Sequence, residues 1–309
     1  MHIYRKVLLL SVCLFLVSQS NAQLLNERSL IKSMVFLSSD DLAGRRTGEA
    51  GNQQAREFIA KRFGELNLDT HYSDFLQSFS FQGRGNGQKK YEGVNVVAFI
   101  PGTESKKVIV VTAHFDHVGI GRKNSQGDSI YNGADDNASG TAALLEFADY
   151  FSKNPPKHGM IFAALDAEEL GLQGARALVR DFPFSLDQVV LNLNMDMISR
   201  NEKGELYVSG THYYPELKTI LEPLAKNSTP KLLFGHDVPG TGADDWTRSS
   251  DHAAFFEEKI PHLYFGVEDH PDYHQPSDEY KNIDPEFFVS ASSLVLGCLL
   301  TLDEELLKE

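Results

Sequence analysis

Four nearly continuous apolar runs, rich in β-branched residues, constrain the fold of this chain more than any other feature. They cover residues 94–100, 107–116, 160–166 and 189–196. Strands that expose one face to water alternate between apolar and polar residues, whereas these runs do not. They are typical of central strands that are covered on both faces.

Stretches with helix-like apolar spacing lie around these runs. Two of them, residues 140–151 and 171–180, separate consecutive strands, and residues 29–39 and 52–66 precede the first strand. A last helix is predicted over residues 285–306. This alternation predicts an α/β fold, a three-layer sandwich in which a mixed, mainly parallel central sheet carries helices on both faces.

The N-terminus has the features of a secretory signal peptide over residues 1–22. The basic pair Arg5-Lys6 precedes an apolar run, residues 7–17, and small residues follow it. A lipoprotein anchor at Cys13 is the alternative, although it would cut the apolar run short. We expect the leader to be removed and the protein to be exported, to the periplasm or out of the cell.

Residues 23–309 are expected to form a single domain, because no repeat or linker divides them. Cys298 is the one cysteine after the leader, so no disulfide within the domain is expected. The chain has a net charge of −14, which argues against nucleic acid and anionic lipid as partners. No later segment is expected to span a membrane, and the oligomeric state stays open.

Polar residues follow the predicted strands at the points where the strands end. Taken singly, an Asp before a helix is usually an N-cap and a histidine at a strand end is usually a surface group. Together they would meet at one edge of a parallel sheet, where ligands bind. Such a cluster of carboxylates and imidazoles is hard to explain without a cation. The cluster consists of His114, Asp116, Asp135, Asp136, Glu168, Glu169 and Asp196, with His270 and His274 further along the chain.

The candidate ligands are imidazoles and carboxylates, without a thiolate. This set suits borderline or hard divalent metals, with zinc first and Co²⁺ or Mn²⁺ as further possibilities. Two metals that share one carboxylate would use about five protein ligands and leave positions for water. Such a site can activate water and polarise a carbonyl, which amide hydrolysis requires.

Five motifs, HFD, GADD, AEELG, NMD and DYHQPSD, occur in this order within residues 94–283. The region resembles the two-zinc exopeptidase family that contains bacterial leucine aminopeptidases, aminopeptidase Y, glutamate carboxypeptidase and the glutaminyl cyclases. The resemblance implies the zinc-exopeptidase form of the predicted sandwich. It also implies a catalytic domain without a protease-associated insert, because only 32 positions separate Asp136 from Glu168.

The resemblance assigns roles position by position. Asp135 would bridge the two metals, with a cis peptide bond to Asp136. Glu168 would be the general base that takes a proton from the bridging water, and Asp116 would orient the imidazole of His114. His270 does not match a ligand position. The implied metal ligands are His114, Asp135, Glu169, Asp196 and His274.

The segment SSDHAAFF resembles the part of these enzymes that lines the substrate pocket. Asp251 and His252 would then contact the substrate, and the equally weighted alternative is an N-cap with a surface histidine.

The expected function is a secreted two-zinc aminopeptidase that acts on peptides. A glutaminyl cyclase is one alternative, but cyclases typically keep one zinc, whereas His114 and Asp196 provide donors for a second. A non-catalytic binding module is another, against which the intact Glu168 argues. A carboxypeptidase that acts on acidic dipeptides remains open and would require a basic pocket.

Overall fold

A computed structural model of the protein describes residues 25–83 and 89–308. The predicted signal peptide, residues 1–22, lies outside this part of the chain.

The described residues contain ten strands, most of them short. They are β1 (Leu76–Gln82), β2 (Lys90–Ile100), β3 (Val108–His114), β4 (Gly119–Ile120), β5 (Ile130–Tyr131), β6 (Gly159–Leu165), β7 (Val189–Met195), β8 (Glu205–Ser209), β9 (Lys231–Phe234) and β10 (His262–Gly266).

Seven α-helices connect and cover the strands of the described chain. They are α1 (Glu27–Leu37), α2 (Ala50–Glu65), α3 (Gly140–Lys153), α4 (Gln173–Arg180), α5 (Pro215–Ala225), α6 (His252–Glu257) and α7 (Pro285–Glu305).

Eight strands form one mixed sheet in the order β1-β2-β6-β3-β7-β10-β8-β9, and β4 and β5 form a separate ribbon. The four central strands β6, β3, β7 and β10 are parallel to one another. Strands β8 and β9 are also parallel to each other, but β8 is antiparallel to β10. Strand β2 is antiparallel to both β1 and β6. The predicted fold class is confirmed. The carboxyl ends of the four central strands therefore meet at one edge.

The two faces of the sheet belong to two different hydrophobic cores. Phe162 and Ala164 of β6 join the larger core, whereas Ile161 and Ala163 join the smaller one. The larger core includes side chains from α1, α2, α3, α5 and α7, and the smaller core includes side chains from α4 and α6. Because successive residues of a strand point to opposite faces, helices cover both sides of the sheet.

Helix α7 corrects one expectation about membranes. The segment Pro285–Lys308 is long and apolar enough to cross a bilayer by length and composition alone. Half of its apolar window is buried inside the protein, and Phe288, Leu296 and Leu299 are fully buried in the larger core. The apolar side of this helix therefore forms part of the larger core.

The buried side chain of Arg45 connects the loops that follow β3 and precede α3. Its guanidinium donates to the carbonyl oxygens of Phe115 at 2.7 Å, Asn132 at 2.5 Å and Gly133 at 3.0 Å, and also to that of Leu37. Arg45 is 1% exposed, so its charged group is surrounded by backbone carbonyl groups and not by water. Five donors in a rigid fork suit this arrangement, which a lysine could not reproduce.

We predict that Arg45→Met lowers the free energy of unfolding by at least about 3 kcal/mol, because four carbonyl groups lose their donor in the interior. The matched control is Arg46→Met. Arg46 is half-buried and donates one bond, to the carbonyl of Val118, so the loss should stay below about 1 kcal/mol. Urea denaturation followed by the fluorescence of Trp246 measures both. Equal losses in the two variants would contradict the bracing role of Arg45.

Candidate metal centre

Two groups of metal-donor side chains lie at the carboxyl edge of the central strands. Each group is named after one of its histidines. The His274 group consists of His117, Asp136, Glu169 and His274, and the His114 group consists of His114, Asp136 and Asp196. Within each group the donor atoms lie within 4.8 Å of one another.

Asp136 belongs to both groups, and each of its oxygen atoms faces a different one. Its Oδ1 lies 3.3 Å from Nε2 of His114, and its Oδ2 lies 3.0 Å from Nε2 of His274. The side chain is buried. A carboxylate in this position can bridge two cations.

The separations between donor atoms fit zinc. Ligands at roughly 2.0–2.1 Å in a tetrahedron are about 3.3 Å apart. Nε2 of His114 lies 3.2 Å from Oδ1 of Asp196, and Nε2 of His274 lies 3.3 Å from Oε1 of Glu169. Oε1 of Glu169 is buried and has no hydrogen-bond partner among the described residues. The groups therefore fit divalent metal ions in both spacing and chemistry.

The carboxylate shared by the two groups belongs to Asp136 and not to Asp135, one position later than expected. Asp135, the expected bridge, turns its carboxylate away from both groups. Its Oδ1 accepts bonds of 2.7 Å from the backbone and the hydroxyl of Ser199, and its Oδ2 lies 3.1 Å from Nε2 of His270. The expected cis bond before Asp136 likewise lies one position later, between Asp136 and Asn137.

The carboxylate of Asp278 holds the loop that carries Asp136. It accepts the backbone N–H groups of Asp135 at 2.9 Å and of Asp136 at 3.0 Å. Asp278 is buried and lies four residues after His274 in the same motif. One segment thus provides both a metal donor and the anchor of another donor.

His117 was missing from the candidate residues. It follows His114 by three positions in the sequence HFDH, and it is 1% exposed. Its Nδ1 lies 2.7 Å from Oε1 of Glu169 and 3.7 Å from Oδ2 of Asp136. The sequence signal that could have identified His117 is a second histidine three positions after the end of β3.

The adjacent glutamates at the end of β6 have different surroundings. Glu169 belongs to the His274 group, whereas Glu168 belongs to neither group and lines the cleft beside them. Burial raises the pKa of Glu168 well above its usual range, and the nearby carboxylates of Asp251 and Asp196 raise that pKa further. The charge of His114 lowers the pKa in part. A carboxyl group with a raised pKa can act as a general base that later returns its proton.

Asp116 connects the His114 group to Glu168. Its Oδ1 accepts the backbone N–H of Glu168 at 3.0 Å. Nδ1 of His114 lies 3.2 Å from the backbone carbonyl of Asp116 and 3.7 Å from its carboxylate. The closer partner of the His114 imidazole is therefore the backbone carbonyl of Asp116, and not the carboxylate that was expected to orient it.

Unusual backbone conformations occur next to several donors. Ala167, directly before Glu168, has φ 59°, and Met197, directly after Asp196, has φ 60°. His274 itself has φ 51°. Residues with side chains rarely adopt these angles, and such strain collects at functional sites.

The His274 group holds a proton when no metal is present. Burial lowers the pKa of His274, but the carboxylates of Asp136 and Glu169, at 3.0 Å and 3.3 Å from its Nε2, raise it to about 10. Burial and the charge of Asp136 raise the pKa of Glu169, but the closeness of His117 and His274 brings it down to about 2. At neutral pH a metal ion must therefore displace the proton of His274.

An open cleft of about 690 Å³ leads to the donors. Its wall includes Glu168, Glu169 and His274 together with three arginines. Arg176 is paired with Glu257, whereas Arg46 and Arg248 have no carboxylate partner within the described chain. The three arginines are Arg46, Arg176 and Arg248.

Asp251 and His252 do not reach the cleft. Both are fully buried, and Nε2 of His252 lies 2.9 Å from the backbone carbonyl of Trp246. The same segment lines the cleft through Ser249 and Ala253 instead. This placement argues against direct contact between the substrate and either Asp251 or His252.

The chain belongs to Peptidase family M28, whose family model matches residues 95–299. A relative in sequence is Aminopeptidase YwaD of Bacillus subtilis, which is 30% identical over 206 residues that cover 62% of this chain and 40% of that protein. The chain spans about half the length of the first curated relatives that it matches, with shares of 40%, 64% and 48%.

Two solved structures have the same fold. BSAP, a zinc aminopeptidase from Bacillus subtilis, has a TM-score of 0.70 at 19% identity, with 89% of this chain and 95% of that chain covered. Porphyromonas gingivalis glutaminyl cyclase has a TM-score of 0.73 at 16% identity, with 90% and 99% covered. At such low identity these similarities concern the fold alone.

We predict that Asp278→Asn weakens zinc binding by about 10–100-fold, the usual effect of losing a partner that orients a ligand. The amide of asparagine replaces one carboxylate oxygen by an NH₂ group, a donor that faces backbone N–H groups, so Asp136 loses its fixed position. Calorimetric zinc titration measures the effect. The neighbouring Glu279→Ala is the control and should bind zinc like the unmodified protein, because within the described chain the side chain of Glu279 pairs with Lys281 alone. Unchanged affinity in Asp278→Asn would contradict the anchoring role.

Proposed function

We propose that this protein is a two-zinc aminopeptidase that releases N-terminal residues from peptides. One observation carries the proposal: the buried carboxylate of Asp136 presents one oxygen to each of two donor groups beside an open cleft. Membership of Peptidase family M28 supports metal-dependent peptide hydrolysis.

The proposed ligands differ from the sequence-based set at the bridge. Asp136 takes the place of Asp135, and Glu169, Asp196, His114 and His274 keep their expected roles. When bound, the two metals would polarise the scissile carbonyl and make a water molecule more acidic.

Glu168 is the proposed general base. It accepts a proton from the attacking water and returns that proton to the leaving amine, so that the peptide bond is replaced by a carboxyl and an amino group. Asp116 acts as a positioning residue, because it holds both the backbone of Glu168 and the ring of His114.

The charge of the inner cleft favours a substrate's N-terminus. A smaller pocket of about 180 Å³ adjoins the cleft, and five carboxylates line it: Asp136, Glu168, Glu169, Asp196 and Asp269. Two metals leave part of this negative charge uncompensated. A free amino group would be attracted there, whereas the carboxylate at a C-terminus would be repelled.

A carboxypeptidase is the second candidate, favoured by the cleft arginines Arg46 and Arg248. These cations could bind the C-terminal carboxylate of a peptide. They could equally bind the far end of a short peptide whose N-terminus lies at the metals, so they do not displace the first proposal.

The proposal includes the organisation of the chain. Residues 1–22 are a cleaved leader, residues 23–309 are one catalytic domain, and the mature enzyme acts on peptides in the periplasm or outside the cell. The net charge of −14 argues against nucleic acid as a partner.

The two adjacent glutamates provide a matched pair of variants. Glu168→Gln should keep two zinc ions per chain while kcat falls by about 10²–10⁴-fold, because only the base is lost. Glu169→Gln should lose or weaken one zinc ion. Metal analysis and steady-state kinetics measure both. Near-normal kcat in Glu168→Gln would contradict its role as the base.

The proposed direction of attack is tested with one peptide in three forms. The free peptide and its C-terminal amide should be hydrolysed stepwise from the N-terminus, and the N-acetylated peptide should resist hydrolysis. Mass spectrometry of the products identifies the released residue. Cleavage of the last bond in the N-acetylated form would support the carboxypeptidase instead, and conversion of an N-terminal glutamine to a cyclic product would support a cyclase.

A further inference from the structure

The imidazole of His117 is buried, and neither of its ring nitrogens has a hydrogen-bond partner among the described residues. A buried polar group that lacks a partner is costly, so native structures rarely contain one. The ring nitrogens of His117 therefore need a hydrogen-bonding or metal partner that the described protein atoms do not provide.

The neighbours of His117 indicate what that partner is. Its Nδ1 is 2.7 Å from Oε1 of Glu169, but the two groups are not aligned as a hydrogen bond. The same nitrogen is 3.7 Å from Oδ2 of Asp136, and the ring centroids of His117 and His274 are 5.5 Å apart. The donor atoms of two imidazoles and two carboxylates thus lie within 4.8 Å of one another, and the two separations from His117 lie on either side of the roughly 3.3 Å expected between tetrahedral zinc ligands.

We propose that His117 is a direct ligand of the metal in the His274 group. The inference rests on the proposed two-zinc centre and adds a donor that the sequence-based ligand set lacks. His114 and His117, three residues apart at the end of β3, would then bind the two different metals.

This assignment makes the two metal sites unequal. The His274 group offers four protein donors, and the His114 group offers three. Four donors fill a tetrahedral zinc site, which then reaches substrate or water only by expanding to five ligands, whereas three donors leave a position open. The His274 group is therefore expected to bind its zinc first and more tightly, and the His114 group to keep the exchangeable position.

The test uses His117→Asn, because the asparagine amide lies near the position of Nδ1 but is a poor zinc ligand. Zinc titration should show the tighter site weakened by roughly 100-fold or more, since even the outer partners of metal ligands are worth about 10–100-fold. The weaker site should change by less than about threefold. His270→Asn is the control, because His270 contacts Asp135 and neither donor group.

X-ray absorption of the protein loaded with one zinc per chain counts imidazole ligands without reference to activity. We expect two imidazoles in the unmodified protein and one in His117→Asn. A single imidazole in the unmodified protein would overturn the inference and would leave His117 as a neighbour of Glu169.

Thermal unfolding distinguishes a ligand from a purely structural residue. Without metal, the Tm of His117→Asn should fall only by what the lost contact with Glu169 contributes. With zinc, the rise in Tm should be smaller for the variant, since a ligand stabilises only in proportion to its binding. An equal zinc-induced rise in the two proteins would overturn the inference. Failure of the unmodified protein to bind zinc would instead refute the proposed function.

Discussion

The carboxylate of Asp136, placed between two imidazole-containing groups, is the interaction on which the site depends. Glu169 and Asp196 lie within hydrogen-bonding distance of the same histidines, so several negative charges share a largely buried space. Such charges are tolerated inside a protein only with protons or cations between them. The edge of the sheet is therefore built for cations, and the fold must hold this carboxylate in one orientation.

The loop around Asp136 is held from three sides. Asp278 binds its backbone N–H groups, and Arg45 binds the carbonyl groups just before it. The side chain of Asn137 donates to the carbonyl of Met195 at 2.9 Å and accepts the N–H of Gly140 at 2.8 Å, which joins the end of β7 to the start of α3. These contacts lie outside the donor groups, yet they decide where the shared carboxylate points.

The lining of the cleft differs in charge from that of the pocket beside it, and this difference gives the proposed activity its direction. The pocket is lined by carboxylates, with no arginine among its described residues, whereas the wall of the cleft includes Arg46, Arg176 and Arg248. A short peptide with both termini free would match this pattern if its N-terminus lay at the metals. Unequal metal sites would add a division of labour, with one metal held firmly and the other keeping a position for exchange.

The sequence by itself determined the layered α/β fold, the strands that carry the site and the kinds of residue that follow them. Buried parallel strands require unbroken apolar runs, and their carboxyl ends collect ligands, so this much follows from pattern alone. Strand β10 was missed, because its five residues follow a short helix without a long apolar run. The choice between Asp135 and Asp136 needed the tertiary structure. Adjacent side chains in an irregular loop point in different directions, and only contacts with Ser199 and Asp278 determine which one faces the histidines. The position of His117 was also decided by the tertiary structure. This residue lies three positions beyond the end of β3, where the direction of a side chain depends on the packing of the whole loop and not on a local sequence pattern.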